Sequence, residues 1–382
     1  MTTIPRALLL AAAVLTAAAA CTPAGSATPG PTSSGSPPVA AAPGAVRVVD
    51  VTAKVAIPDR FDTPWFEFSD AQHGYALVTW CQTDGYDCAA RLLATADGGR
   101  SWQQRRLPVD RAKNIQLYES TPQRVIVWTD PEGYRASADG GLTYGPATPT
   151  VPRDHAGARA RYGLEYPANG DAVLLEYRTG RQLKVPSGFP PGTARVAPDD
   201  TIWVTNLVSK PRTTARSTDG GATWQTLPVP DQPGRPLFML QVLVSADGRD
   251  TWLVGDQEPP DLGGGTALLR GSVLKQTGLP LVWRLDGADW VPVPITGVDE
   301  QLSQSYAVAP AGAGLLALGG PEAGLYLGRD GIVRVPGTPR LDWVSTLPDG
   351  TLRGSSGSGG VLLGVGSGAN REWRVLSIIA GG

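Results

Sequence analysis

One eight-residue pattern occurs three times: TADGGRSW from Thr95 to Trp102, SADGGLTY from Ser137 to Tyr144 and STDGGATW from Ser217 to Trp224. Alternating apolar and polar residues flank each copy, which predicts a β-hairpin turn between two strands. Asp97, Asp139 and Asp219 are placed to accept hydrogen bonds from turn amides. Gly98-Gly99, Gly140-Gly141 and Gly220-Gly221 suit the left-handed backbone of a tight turn. Trp102, Tyr144 and Trp224 offer a flat apolar face to cover each hairpin. The spacing sets the unit: Asp97 to Asp139 is 42 residues and Asp139 to Asp219 is 80, so the second gap holds two units. A repeat of about 40 residues is the length of one four-stranded propeller blade.

Read in that frame, WFEFSD, YALVTWC, ARLLATA and SWQQRRLP are the four strands of a first unit. IQLYES, RVIVWTD, YRASA and LTYGPA make a second. The third is degenerate, with YGLEYPANGDAVLLEY and RTGRQLKVP keeping the alternation but lacking the aspartate turn and room for a full set of strands. ARVAPDDTIWVTNLV and TARSTDGGATWQTLPV restore it. SADGRDTW, Ser245 to Trp252, has Arg249 in place of the second glycine and is read as the first hairpin of a fifth unit, whose last hairpin is LVWRLDGADWVPVP. Two further units end the chain, and VRVVDVTAKVAI, Val46 to Ile57, is left over to pair with the last blade and close the ring. Closure removes exposed sheet edges, which otherwise invite aggregation. The expected fold is all-β, a propeller of four-stranded antiparallel blades, seven by this count, with six or eight as alternatives.

The turn pattern resembles the Asp-box, or BNR, repeat of sialidase-like β-propellers. FSDAQHGYAL and VSADGRDTWLVGD are also similar to the photosystem II assembly-factor type of propeller, over much of Phe66 to Pro294. The resemblance implies a fold and transfers no photosynthetic role. It names Asp97, Gly99 and Trp102, Asp139, Gly141 and Tyr144, and Asp219, Gly221 and Trp224 as structural positions repeated once per blade.

Residues 1–20 carry Arg6, an apolar run and small residues directly before Cys21, a secretory signal pattern too short to span a membrane comfortably. The placement of Cys21 resembles a bacterial lipobox, although Ala18 stands where Leu is usual; cleavage after an Ala-x-Ala site is the alternative. Lipidation of Cys21 would anchor the chain to the extracytoplasmic face of the cell membrane. Residues 21–45, rich in Pro, Ala, Ser and Gly, form a flexible stalk, and 46–382 form the propeller. The other two cysteines, Cys81 and Cys88 in CQTDGYDC, suit a disulfide in an oxidising compartment; a metal site is the weaker alternative, because no histidine or third cysteine lies nearby.

Export of an uncatalysed binder fits the remaining chemistry. Formal net charge is −2, so no basic field draws the chain to nucleic acid. Adjacent pairs Tyr118-Glu119, Glu165-Tyr166 and Glu176-Tyr177 point to opposite faces of a strand and do not converge on one atom. His73 and His155 lie in turn-like segments without metal-ligand spacing. No cofactor, metal or catalytic residue is expected. The alternative is an exo-acting, sialidase-like glycoside hydrolase, which would use three arginines, a Tyr-Glu pair and an acid/base carboxylate at the channel.

Loop order sharpens the location of function. Turns joining strands one to two and three to four share a face, so loops joining strands two to three emerge opposite the aspartate turns. Those are the elaborated ones, CQTDGYDC, VSKPRTT and the insertion from Gly255 to Pro280. Long insertions on a rigid scaffold commonly carry recognition. Trp80, Tyr86, Arg212, Asp256, Glu258 and Asp261 are the candidate binding residues there, for a protein, peptide or glycan partner of a monomeric chain.

Overall fold

The computed structural model describes residues 46–81, 88–118, 121–167, 170–206, 211–231, 237–257, 280–295, 307–356 and 360–381. Within residues 43–382 the described chain forms seven small sheets in a ring, a seven-bladed β-propeller with almost no helix.

An outlying strand β1 (Arg47–Val55) comes first. The first blade is β2 (Trp65–Phe68), β3 (Gly74–Cys81), β4 (Cys88–Thr95) and β5 (Gln103–Arg105), with β6 (Arg111–Ala112) pairing beside the Cys88 end of β4. The second blade has β7 (Asn114–Tyr118), β8 (Val125–Asp130) and β9 (Gly133–Ser137). Its expected fourth strand LTYGPA is reduced to the single bridge Tyr134–Thr148. Pro146, without an N–H, interrupts the ladder there, leaving only the Gly145 amide on Ala136 and the Thr148 contacts to Tyr134. A short helix α1 (Arg153–Arg159) follows, and then the three-stranded third sheet of β10 (Tyr162–Glu165), β11 (Val173–Glu176) and β12 (Arg181–Gln182).

The phase of that incomplete blade can be read from its neighbours. Tyr75, near the start of β3, sets its hydroxyl beside Gly140 of the next blade's turn, and Tyr162 at the start of β10 does the same beside Gly220. β10 is therefore equivalent to β3, and the strand missing from the third blade is the first.

The fourth blade is β13 (Arg195–Val196), β14 (Ile202–Thr205), β15 (Thr213–Ser217) and β16 (Gln225–Pro228), and the fifth is β17 (Leu237–Val244), β18 (Thr251–Gln257), β19 (Leu281–Asp286) and β20 (Asp289–Pro292). SADGRDTW is the turn between β17 and β18, as read from its missing second glycine. The sixth blade is β21 (Ala307–Gly312), β22 (Leu315–Gly319), β23 (Leu325–Gly328) and β24 (Gly331–Arg334). The seventh is β25 (Trp343–Thr346), β26 (Leu352–Ser355), β27 (Val361–Ser367) and β28 (Asn370–Ala380), and β1 adds to it as a fifth, outermost strand, parallel to β28.

Every sheet in a ring is covered on both faces, so its middle strands are apolar without alternation. Leu92 and Leu93 are both fully buried, the first against the second blade and the second against the seventh. Leu362 and Leu363 divide in the same way between the sixth and first blades. Apolar clusters of this kind fill six of the seven boundaries between blades. Between the second and third blades none is found among the described residues, and α1 lies there instead. Gly157 packs on Tyr177, Arg153 pairs with Glu165 at 2.7 Å, and Arg124 of the second blade reaches Asp154. His155, expected in a surface turn, is in this helix and 8% exposed; burial pushes its pKa down. The helix leaves no local signal because it is held by contacts to two blades and not by its own seven residues, too few to be stable alone.

β1 closes the ring by side chains as well as by pairing. Val46 packs in the cluster between the sixth and seventh blades, whereas Val49, Val51, Val55 and Ile57 join the one between the seventh and first. The carboxylate of Asp349 accepts the Ala71 amide at 2.7 Å, and Arg374 donates to the Ala71 carbonyl at 3.0 Å, across the same boundary.

Candidate functional site

The three aspartate turns build alike. Thr95 Oγ1 donates to Asp97 at 2.8 Å and accepts from the Gly99 amide at 2.9 Å, while Ser101 donates its amide and its hydroxyl to the same carboxylate. Ser137, Asp139, Gly141 and Thr143 repeat the arrangement, as do Ser217, Asp219, Gly221 and Thr223. The aromatic side chain then folds back: Trp102 and Trp224 donate to the carbonyls of Gly99 and Gly221. Each ring reaches the preceding blade's boundary, Trp102 against Phe66, Tyr144 in the cluster with Leu92, and Trp224 in the cluster with Tyr162. These carboxylates spend their acceptor capacity inside their own turns.

That geometry carries an acid dependence. The Thr223 hydroxyl and amide, with help from Ser217, hold Asp219 at about 2, and the equivalent bonds from Thr143 push Asp139 further down. A carboxylate depressed in the folded chain stabilises it above the unfolded pKa of about 4, and that contribution fades as pH falls towards the folded value. Asp219→Asn is therefore expected to melt lower than the parent at pH 7 and to show a flatter decline between about pH 4 and 2. Thermal melts across that range test this, and parallel curves for the two proteins would contradict it.

On the face bearing these turns, the channel mouth opens into a cavity of about 400 Å³. Tyr162, Tyr177, Asp200, Val244, Leu347 and Pro348 line it, from the third, fourth, fifth and seventh blades. Asp200 has a φ of 65° in a turn where the equivalent residues of the fifth and seventh blades are Gly248 and Gly350. The nearby Arg161 is held by Glu176, which also accepts from Thr179 and Arg181. Glu176 pairs across from Tyr162, while Tyr177 covers Gly163 on the other side of the sheet, so this Tyr-Glu pair diverges.

The opposite face holds the described ones among the residues singled out for binding. Cys81 and Cys88 are bonded, facing each other at the ends of β3 and β4. Closing so short a loop contributes about 1–3 kcal/mol. Trp80 is half-buried beside this bond and pairs with Ala89. Arg212 is half-buried in the fourth blade, where its carbonyl accepts the Val229 amide. Asp256 pairs with Met239 near the end of β18, which runs through Gln257 and so takes in the first three residues of the segment read as an insertion from Gly255. The Asp256 side chain, Tyr86, Glu258 and Asp261 lie outside the described residues, as do Cys21 and everything before Val46.

Sequence reading missed a cluster at this mouth. Trp65 and Trp343 begin the first strands of adjacent blades, at the same distance from their turns: Trp65 pairs with Leu77 and Trp343 with Ser355. They are 48% and 43% exposed. The Trp65 indole N–H donates to Glu67 at 3.1 Å, Arg353 donates to Glu67 at 2.6 Å, and the Arg353 guanidinium lies 5.4 Å from the centre of the Trp343 ring. Tyr166, at the end of β10, is 72% exposed. The available signal was a tryptophan at the one equivalent position of the first and last blades.

No known family pattern matches the chain, and no curated protein matches it. Among solved structures it is similar to YCF48 bound to D1 peptide, at 14% identity and a TM-score of 0.40, over 85% of this chain and 94% of that one. It is similar to an ancestral GH74 enzyme at 15% identity and a TM-score of 0.44, over 84% of this chain and 47% of that one, so it spans about half the length of that enzyme. The extracellular domain of a putative one-component system, BT4673 from B. thetaiotaomicron, matches at 10% identity and a TM-score of 0.39, over 84% of this chain and 39% of that one.

Proposed function

We propose that this chain is an exported, membrane-tethered, non-catalytic β-propeller that captures a protein, peptide or glycan partner, or assists assembly of an envelope complex, through the face opposite its aspartate turns. The observation that carries the reading is the contrast between the two faces. The repeated carboxylates are satisfied inside their own turns, which suits Asp-box repeats acting as staples of the fold. The other face presents half-exposed indoles at the channel mouth, and large aromatic side chains dominate the energetics of protein recognition sites. The secretory pattern and Cys21 supply the tether in this reading. A hydrolase would need arginines and carboxylates free to converge on a substrate; Asp200 lines the described cavity among apolar and tyrosine side chains, and in the adjoining cavity Glu176 is engaged by Arg161, Thr179 and Arg181.

The experiment replaces residues 258–279 with a short Gly-Ser turn, leaving β18 and β19 whole. The propeller is expected to melt as before, because Gly255 still pairs with Leu281, while capture of the partner from native envelope is lost. Undiminished capture with an unchanged melting curve would place the function elsewhere.

A further inference from the structure

We infer that Trp65 and Trp343, with Glu67 and Arg353 between them, form a binding site for a neutral oligosaccharide of at least two pyranose rings. The inference rests on the reading of this face as a capture surface and names its ligand class.

A pyranose has a face of C–H groups and a rim of hydroxyls, so it is recognised by a flat apolar ring beside planar polar groups. Both are present here in fixed positions. The Trp65 ring is pinned by its N–H bond to Glu67 and is 48% exposed. Trp343 carries the Arg353 guanidinium over one face. Arg353 is in turn held by two bonds to Glu67, at 2.6 and 3.4 Å. Anchoring of this kind removes rotamer entropy before a ligand arrives. The ion pair cancels its own charge, which favours a neutral ligand over a phosphate or polyanion. Glu67, 23% exposed, keeps unused acceptor capacity, and Arg353, 17% exposed, has more terminal N–H groups than its two bonds to Glu67 use, so both can still meet hydroxyl groups. Equivalent positions on neighbouring blades give two stacking sites, hence more than one ring.

The test uses the chain from residue 22 onward, its Trp65→Ala and Trp343→Ala variants, and the double variant. The probes are an array of neutral oligosaccharides of two to six pyranose units, and a synthetic peptide of residues 22–45, because proline-rich segments also stack on indoles. The parent is expected to bind at least one array member. Each single variant should bind it about tenfold more weakly and the double variant not at all, with melting curves unchanged because both rings are half-exposed. A parent that binds no array member, or a double variant that binds equally well, overturns the inference. So does tryptophan-dependent binding of the peptide in place of the sugar. If the array stays silent while replacement of 258–279 still abolishes envelope capture, the sugar assignment falls and the capture reading stands.

Discussion

A chain that begins at Pro58 is expected to lose the cooperative unfolding transition of the parent near its melting temperature and to elute as expanded or aggregated material. β1 contributes nine residues of parallel ladder to β28, from Arg47–Glu372 to Val55–Ala380. Val51 is 7% and Ile57 8% exposed, and with Val49 and Val55 they complete the cluster between the seventh and first blades. Burial of Val51 and Ile57 is worth roughly 1.5–3 kcal/mol each, and the partly buried Val49 and Val55 add to it, a large share of the typical domain stability of about 5–15 kcal/mol. The loss also falls where the ring closes and leaves β28 as a long unpaired edge. Circular dichroism melts and size-exclusion chromatography of the two chains decide the matter. A truncated chain that melts within a degree or two of the parent would show that β1 is an accessory, with the closure carried by Asp349, Arg374 and the blade contacts alone.

Trp373→Ala is expected to destabilise the propeller by about 3–5 kcal/mol, the usual cost of emptying a large buried aromatic site. Trp373 is fully buried in β28 and lies flat over Gly364 of β27, so close that a Cβ built on Gly364 would sit 2.9 Å from the ring. The site also holds Tyr326 of the sixth blade and Leu352 and Leu362 of the seventh, so the cavity opens at a boundary that both blades need. Neighbouring strands pinned on both sides cannot collapse into it. Trp343→Ala is the internal control, since that ring is half in solvent and should cost little. Urea titrations of both variants measure the difference. Equal midpoints for Trp343→Ala and Trp373→Ala would contradict the placement of Trp373 in the core.

Where the sequence was legible, the interactions were local. The aspartate turns bond within four residues of chain, as in Ser101 to Asp97 and Gly99 to Thr95, so their residues had to appear as a compact pattern. The hairpins of the fourth to seventh blades followed from alternation and turn glycines, and the pairing of Cys81 with Cys88 from their separation of seven residues. The thin second and third blades lost strands because proline removed a ladder donor in one, and because the other gave its first strand's place in the chain to a helix held from two sides.

The candidate site was less legible, for a reason of distance. Glu67 and Arg353 are 286 residues apart, and nothing near either one announces the other. Trp65 and Trp343 become neighbours only when the first and seventh blades meet, and their exposure depends on which side of each strand the closed ring turns outward. The repeat length, the all-β class, the blade count and the turn chemistry are short-range properties, set by periodicity and by hydrogen bonds that span a few residues, and the amino-acid order determined them by itself. The leftover strand β1 was also legible as a partner of the last blade, and it pairs with β28. The polar seam at α1 and the indole cluster at the channel mouth were decided by the tertiary structure, the first because the helix is held only by its contacts to the second and third blades, the second because it exists only when the two ends of the chain are brought together.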